Sequence, residues 1–177
     1  INVTLGPSNG NFTGYMLQGV QHVNAVKVRN NAGTSEIYVA AGASFYSSAG
    51  ATTYLGGTTY GLYKSTDGGA NWSEVALPLT SNGKKHCPND IEFGADNKIW
   101  LSTTNSTVWN EGGGKIFSST DGNTFVLKHQ VPNGKRTQIA VSSTNPDKVY
   151  ALAEVSIPNP PSTTNIETVS IISSVDG

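Results

Sequence analysis

Three segments of the chain align under one another at nearly constant spacing, and this repeat constrains the fold more than any other feature. They are Gly61-Leu62-Tyr63-Lys64-Ser65-Thr66-Asp67-Gly68, Lys115-Ile116-Phe117-Ser118-Ser119-Thr120-Asp121-Gly122 and Ser170-Ile171-Ile172-Ser173-Ser174-Val175-Asp176-Gly177. Their aspartates lie 54 and then 55 residues apart. A period of this length marks an array of one supersecondary unit, each copy covering the apolar face of its neighbour.

The alignment extends upstream. Ala25-Val26-Lys27-Val28, Asp90-Ile91-Glu92-Phe93 and Gln138-Ile139-Ala140-Val141 share a period-2 alternation of apolar and polar residues, the pattern of a half-buried strand. A second apolar run follows each: Ile37–Ala41, Ile99–Ser102 and Val149–Ala153. The turn clusters Asn30-Asn31-Ala32-Gly33, Gly94-Ala95-Asp96-Asn97 and Thr144-Asn145-Pro146-Asp147 separate them. Beyond the first two Ser-x-Asp turns comes a fourth strand, Trp72–Ala76 and Phe125–Lys128. No stretch has a sustained 3.6-residue period with caps. Composition agrees: Ser 19, Thr 19, Asn 17 and Gly 20 favour turns and polar-faced strands. The reading is all-β, with four antiparallel strands per unit, as in a β-propeller blade.

Ser65-Thr66-Asp67-Gly68-Gly69-Ala70-Asn71-Trp72 resembles the Asp-box (BNR) repeat, Ser-x-Asp-x-Gly-x-x-Trp, of bacterial sialidases, sortilins, xyloglucan-active endoglucanases and secreted Bacteroidetes proteins. Ser119, Asp121 and Phe125 form a version one residue shorter, with Phe in place of Trp, and Ser174 and Asp176 begin a third. The resemblance implies a structural role for the turn. Its Asp accepts hydrogen bonds from backbone N–H groups a few residues on. Gly68, Gly69 and Gly122 supply positive φ, and the Trp72 ring is expected to fold over the turn and fill space between neighbouring sheets.

The organisation predicted is a fragment of a propeller, about two and a half four-stranded blades. Residues 1–20 form an N-terminal segment, either a blade-closing outer strand or a Gly/Asn-rich linker. Residues 21–80 form a blade with a full Asp-box, 81–133 a blade with a degenerate one, and 134–177 a blade truncated within its Asp-box. Three sheets in an arc leave faces around Val26, Ile91 and Ile139 open to water, so the natural protein is expected to continue past Gly177, its remaining blades covering them.

Function is expected on the face opposite the Asp-box turns. The long connections there carry Phe45, Tyr46, Tyr54 and Tyr60 in one unit and Trp109, Asn110 and Glu111 in the next. Aromatics among small polar residues suit sugar rings, so Tyr46, Tyr54, Tyr60, Trp109 and Arg136 are the ligand-binding candidates; packing of their own loops is the alternative. Asp90 and Glu111 are the carboxylates to weigh for glycoside hydrolysis, which needs two at roughly 5–10 Å. The xyloglucan-active relatives use two aspartates, and Asp90 would be one of them. A sialidase needs an arginine cluster, and only Arg29 and Arg136 are present.

The remaining classes are narrowed by charge and cysteine. A net charge of −1 gives no electrostatic footprint for nucleic acid. No apolar run is long enough for a membrane-spanning helix, and the single Cys87 cannot form an intrachain disulfide. His86, Cys87 and Asp90 match no closed zinc spacing, so neither metal nor cofactor is expected. The resemblance implies an exported bacterial protein, secreted or at the cell surface and a type IX secretion substrate, binding a polysaccharide or a surface protein. The alternative is a xyloglucanase-like endoglucanase, with a sialidase a weaker one.

Overall fold

The computed structural model describes residues 22–48, 51–55 and 59–174. Residues 1–20 and Asp176 lie outside that set. Among the described residues there are thirteen strands and no helix. The first sheet contains β1 (His22–Asn31) and β2 (Thr34–Gly42). After a separate hairpin of β3 (Ser44–Ser48) and β4 (Ala51–Leu55), it resumes with β5 (Gly61–Ser65) and β6 (Ser73–Val75). The second sheet is β7 (Cys87–Phe93), β8 (Ile99–Thr104), β9 (Lys115–Ser119) and β10 (Val126–Gln130). The third is β11 (Gly134–Val141), β12 (Val149–Ile157) and β13 (Ile166–Ser173). All are open antiparallel meanders in chain order.

The strands differ from expectation in two places. Residues 42–60 contain the β3–β4 hairpin, with Phe45 opposite Tyr54 and Tyr46 opposite Thr53; aromatic and β-branched residues suit a pleated ribbon even inside a connection. In the third unit, β12 and β13 extend past the apolar run at Val149–Ala153 to reach Ile157 and Ile166, which leaves a connection of residues 158–165.

Period-2 alternation explains the packing. Along β12 the buried residues are Val149, Ala151, Ala153 and Val155, with exposed residues between them. Tyr38, Ala40 and Leu62 of the first sheet meet Ile91, Ile99, Leu101 and Phe117 of the second. The opposite face of the second sheet sets Trp100 and Ile116 against Ile139, Val149 and Ala151 of the third. Each large side chain buried this way stabilises the fold by about 1.5–3 kcal/mol. Of the residues expected to face water, only Val26 does so, at 56% exposure; Ile91 and Ile139 are buried between sheets. The outer face of the third sheet leaves Tyr150, Leu152, Val169 and Ile171 exposed.

The first strands of the three sheets touch in order, β1 against β7 and β7 against β11. The first two break register at the same point of the repeat, between Val23 and Ala25 and between Pro88 and Asp90, and the third breaks slightly earlier, between Gly134 and Thr137. Such bulges re-aim a side chain. Here the Asn24 amide donates to the Pro88 carbonyl at 2.7 Å, and the Asn89 amide to the Thr137 carbonyl at 2.6 Å. The same device therefore joins both pairs of neighbouring sheets.

The Ser-x-Asp turns are closed by their own polar groups. Asp67 accepts from the Ser65 hydroxyl at 2.8 Å, the Asn71 N–H at 2.9 Å and the Asn71 amide at 2.7 Å. Gly69 N–H donates to Ser65 Oγ at 2.9 Å. In the shorter turn Asp121 accepts from Ser119, Asn123 N–H and Thr124 N–H at 2.8–2.9 Å. Ser174 instead binds the Asp147 carbonyl and the Val149 N–H. Trp72 does fold over its turn, its Nε1–H donating to the Gly69 carbonyl at 3.0 Å. It stays half-buried on that turn and does not enter the inter-sheet core, whereas Phe125, in the equivalent position, is 4% exposed within it. Phe125 is enclosed because the first sheet packs against that face of the second.

A buried ion pair anchors the second turn to the first sheet. Arg29, 2% exposed, donates to Glu36 at 2.6 and 2.9 Å, to the Asn97 carbonyl at 3.0 Å and to the Thr120 carbonyl at 3.3 Å. The Tyr38 hydroxyl also donates to Glu36, at 2.7 Å. Burial alone would raise the Glu36 pKa, but hydrogen bonds from Arg29, Tyr38 and Asn31 outweigh it and leave the carboxyl below its ordinary value. Gly122 sits against this cluster at φ +73°, and any Cβ there would collide with the Tyr38 hydroxyl and the Arg29 guanidinium.

Two outcomes follow. Arg29→Met leaves the buried Glu36 carboxylate with Lys64 Nζ, at 4.0 Å, as its remaining cation and strips two turn carbonyls of their donor, and is expected to cost about 3 kcal/mol. Guanidinium denaturation measures this as a lower midpoint, and a loss below about 1 kcal/mol refutes the anchoring role. The backbone and side-chain bonds from Asn71, followed by that from Ser65, hold the exposed Asp67 carboxyl down to about 2. With the folded pKa depressed, its contribution is complete above the unfolded value of about 4 and disappears as pH falls toward 2. The stability gap between the wild type and Asp67→Ala should narrow across that interval in acid titrations followed by circular dichroism. A constant gap contradicts the assignment.

Candidate functional site

Antiparallel meanders send alternate connections to opposite ends. The first-to-second-strand turns and the Ser-x-Asp turns share one end. The other collects the connection from β6 to β7 and those joining second to third strands. Two short loops there are internally hydrogen-bonded and then fastened to each other. In residues 80–84, Gly83 N–H donates to the Thr80 carbonyl, Thr80 N–H to the Lys84 carbonyl, both at 2.9 Å, and Lys84 N–H to Thr80 Oγ1 at 3.1 Å. In residues 106–111, Asn110 N–H donates to the Ser106 carbonyl at 2.7 Å and Ser106 N–H to the Glu111 carbonyl at 2.9 Å. Asn110 has φ 52°, a conformation asparagine tolerates.

Glu111 joins the two loops. Its carboxylate accepts from the Thr80 hydroxyl at 2.9 Å and the Asn82 amide at 2.5 Å. The bond from Asn82, then that from Thr80, holds its pKa below the ordinary value. Thr107 reaches back to the Ala43 carbonyl at 2.9 Å, fixing the loop against the first sheet. His86 Nδ1 lies 2.8 Å from the Gly112 carbonyl; a carbonyl only accepts, so this nitrogen carries the proton. Burial lowers the His86 pKa. Gly114 turns at φ +69° with its backbone against Gly134, leaving no room for a Cβ. This explains the last residue of the Gly112-Gly113-Gly114 run.

Trp109 stands at the tip of this framework, 50% exposed, with Lys84 Nζ 4.0 Å from its ring centroid. Tyr60 lies beneath, 3% exposed, its hydroxyl donating to the Lys85 carbonyl at 3.3 Å. Burial raises the Tyr60 pKa, with Ser106, Trp109 and Glu111 all acting on the hydroxyl. An open apolar cleft adjoins them, lined by Leu62, Val75, Leu77, Leu79, Lys85 and His86.

The structure thus brings Tyr60, Trp109 and Glu111 together. Arg136 is exposed on β11, in the third bulge, and among the described residues no hydrogen bond or ring contact joins it to them. The strands bearing Tyr46 and Tyr54 pair as a hairpin, but their side chains fall outside the description. Asp90 has one oxygen 3.0 Å from the Ile91 N–H and the other 3.1 Å from the Ile139 N–H. That carboxylate is spent joining β7 to β11. Burial pushes the Cys87 thiol up to about 11, keeping it in the unreactive protonated form. Sequence reasoning missed Lys84 and the 80–84 turn; the Thr-Ser-Asn-Gly run of residues 80–83 was the available signal.

No protein-family model matches the chain, and neither a curated protein nor a solved structure is significantly similar to it.

The burial difference makes a prediction. Tyr60→Ala should cost about 3–5 kcal/mol, as truncating a buried aromatic does. Trp109→Ala should stay within about 1 kcal/mol of the wild type, since the ring is half in water. Equal losses in chemical denaturation would mean that Trp109 is a core residue.

Proposed function

We propose that the chain is the propeller part, with Asp-box turns, of an exported bacterial cell-surface or extracellular protein, and that it is a carbohydrate- or protein-binding module. Support for the arrangement comes from three meanders packed in chain order with their first strands adjacent and each bulged near its start. A secretion route of type IX belongs to this reading through the resemblance of the repeat.

The observation that carries the binding role is Trp109. A large aromatic held half-exposed on a loop that is hydrogen-bonded throughout is a preorganised anchor, and preorganisation lowers the entropy cost of association. The hydrolase alternative gains nothing comparable, because both Asp90 oxygens accept backbone N–H groups.

The test is a panel of soluble polysaccharides in affinity electrophoresis, with reducing-end release assayed in parallel. Retardation by at least one glycan without new reducing ends, lost in Trp109→Ala, is expected. Reducing-end release would favour the hydrolase. Absence of retardation by every glycan, with retention of a surface protein, would move the reading to a protein ligand.

A further inference from the structure

We infer that the glycan taken at this end is acidic, a uronate-bearing polysaccharide whose sugar ring lies on Trp109 with its carboxylate on Lys84; this rests on the binding role proposed above. Lys84 Nζ is held over the Trp109 ring at 4.0 Å, and among the described residues it has neither an ion pair nor a hydrogen-bond acceptor. Its neighbours differ. Lys85 is matched by Glu74 at 2.5 Å and by the Tyr60 carbonyl at 3.3 Å. Glu111 attracts Lys84 through space without an ion-pair contact, its oxygens being taken by Thr80 and Asn82. His86 is disfavoured as a cation by its burial.

The ammonium therefore lies against one face of an exposed aromatic without an acceptor of its own among the described residues. Two complementary demands follow. The indole needs an apolar C–H face, which a pyranose ring supplies. The ammonium needs an anion, and a charge-assisted hydrogen bond to a carboxylate is roughly twice as strong as a neutral one. A uronate polysaccharide carries both, a pyranose for the indole surface that Lys84 leaves open and a carboxylate for the ammonium. Because Lys84 is only half-buried, the ion pair should weaken with salt.

Affinity electrophoresis of the full chain in gels containing polygalacturonate, a neutral β-glucan or poly-L-glutamate tests this. Polygalacturonate is expected to retard the chain most, with the retardation falling as salt rises. Lys84→Gln should lower that affinity by about tenfold, equivalent to about 1.4 kcal/mol, and Lys84→Arg should restore most of it. Unchanged melting midpoints would establish that both variants fold. If the neutral glucan binds at least as tightly, or Lys84→Gln leaves polygalacturonate binding intact, the acidic-ligand assignment is overturned while the glycan-binding role stands. Equal retardation by poly-L-glutamate also overturns it, pointing to an acidic peptide. If neither glycan retards the chain, the acidic-glycan assignment is overturned, and the glycan-binding role is decided by the wider panel described above.

Discussion

Both faces of the β7–β10 sheet are apolar, and the need to cover them organises the molecule. Ile91, Ile99, Leu101 and Phe117 project to one side, and Trp100 and Ile116 to the other. A four-stranded sheet of this kind cannot stand alone in water, because burial is what offsets the entropy of ordering it. The first and third sheets supply the two covers. Each then has an outer face of its own, and those faces carry Val26 and Val28 on one side and Leu152, Val169 and Ile171 on the other.

Apolar packing has little directional preference, so polar contacts between sheets fix how they are aligned. Asn24 and Asn89 reach across from equivalent bulges, and Asp90 binds the Ile139 N–H. Arg29 binds carbonyls of the 97 and 120 turns while paired to Glu36. These groups are buried or half-buried, and each would be costly if left unpaired. Arg29 ties the end of the sheets closed by the tight turns, whereas Asn24, Asn89 and Asp90 lie toward the strand ends that the longer connections enter. At that second end Glu111 locks two loops and Trp109 remains open to water.

Local order of this type was readable wherever it depended on near neighbours. The apolar alternation identified the principal strands of all three sheets, and the Ser-x-Asp spacing located two tight turns, because both are set within a few residues. The β3–β4 hairpin was read as a loop because its aromatics are interspersed with Gly, Ala and Ser, without a sustained apolar alternation. Nothing local marked Arg29 and Glu36 as a buried pair, since it is packing against the neighbouring sheet that encloses them. Among the site residues, Tyr60, Trp109 and Glu111 were legible as polar and aromatic loop residues, whereas Lys84 was not. Its significance comes from lying over a ring 25 residues away in the chain.

The amino-acid order by itself determined the repeat, the strands within it and the carboxylate-closed turns, since hydrogen bonds and side-chain alternation over short spans decide these. Tertiary structure alone decided which faces are dry, that Phe125 enters the core while Trp72 stays on its turn, and that Asp90 is a tie between strands. It also set an ammonium beside an exposed indole. These outcomes depend on contacts between sheets, and such contacts are fixed only when distant segments pack and exclude water.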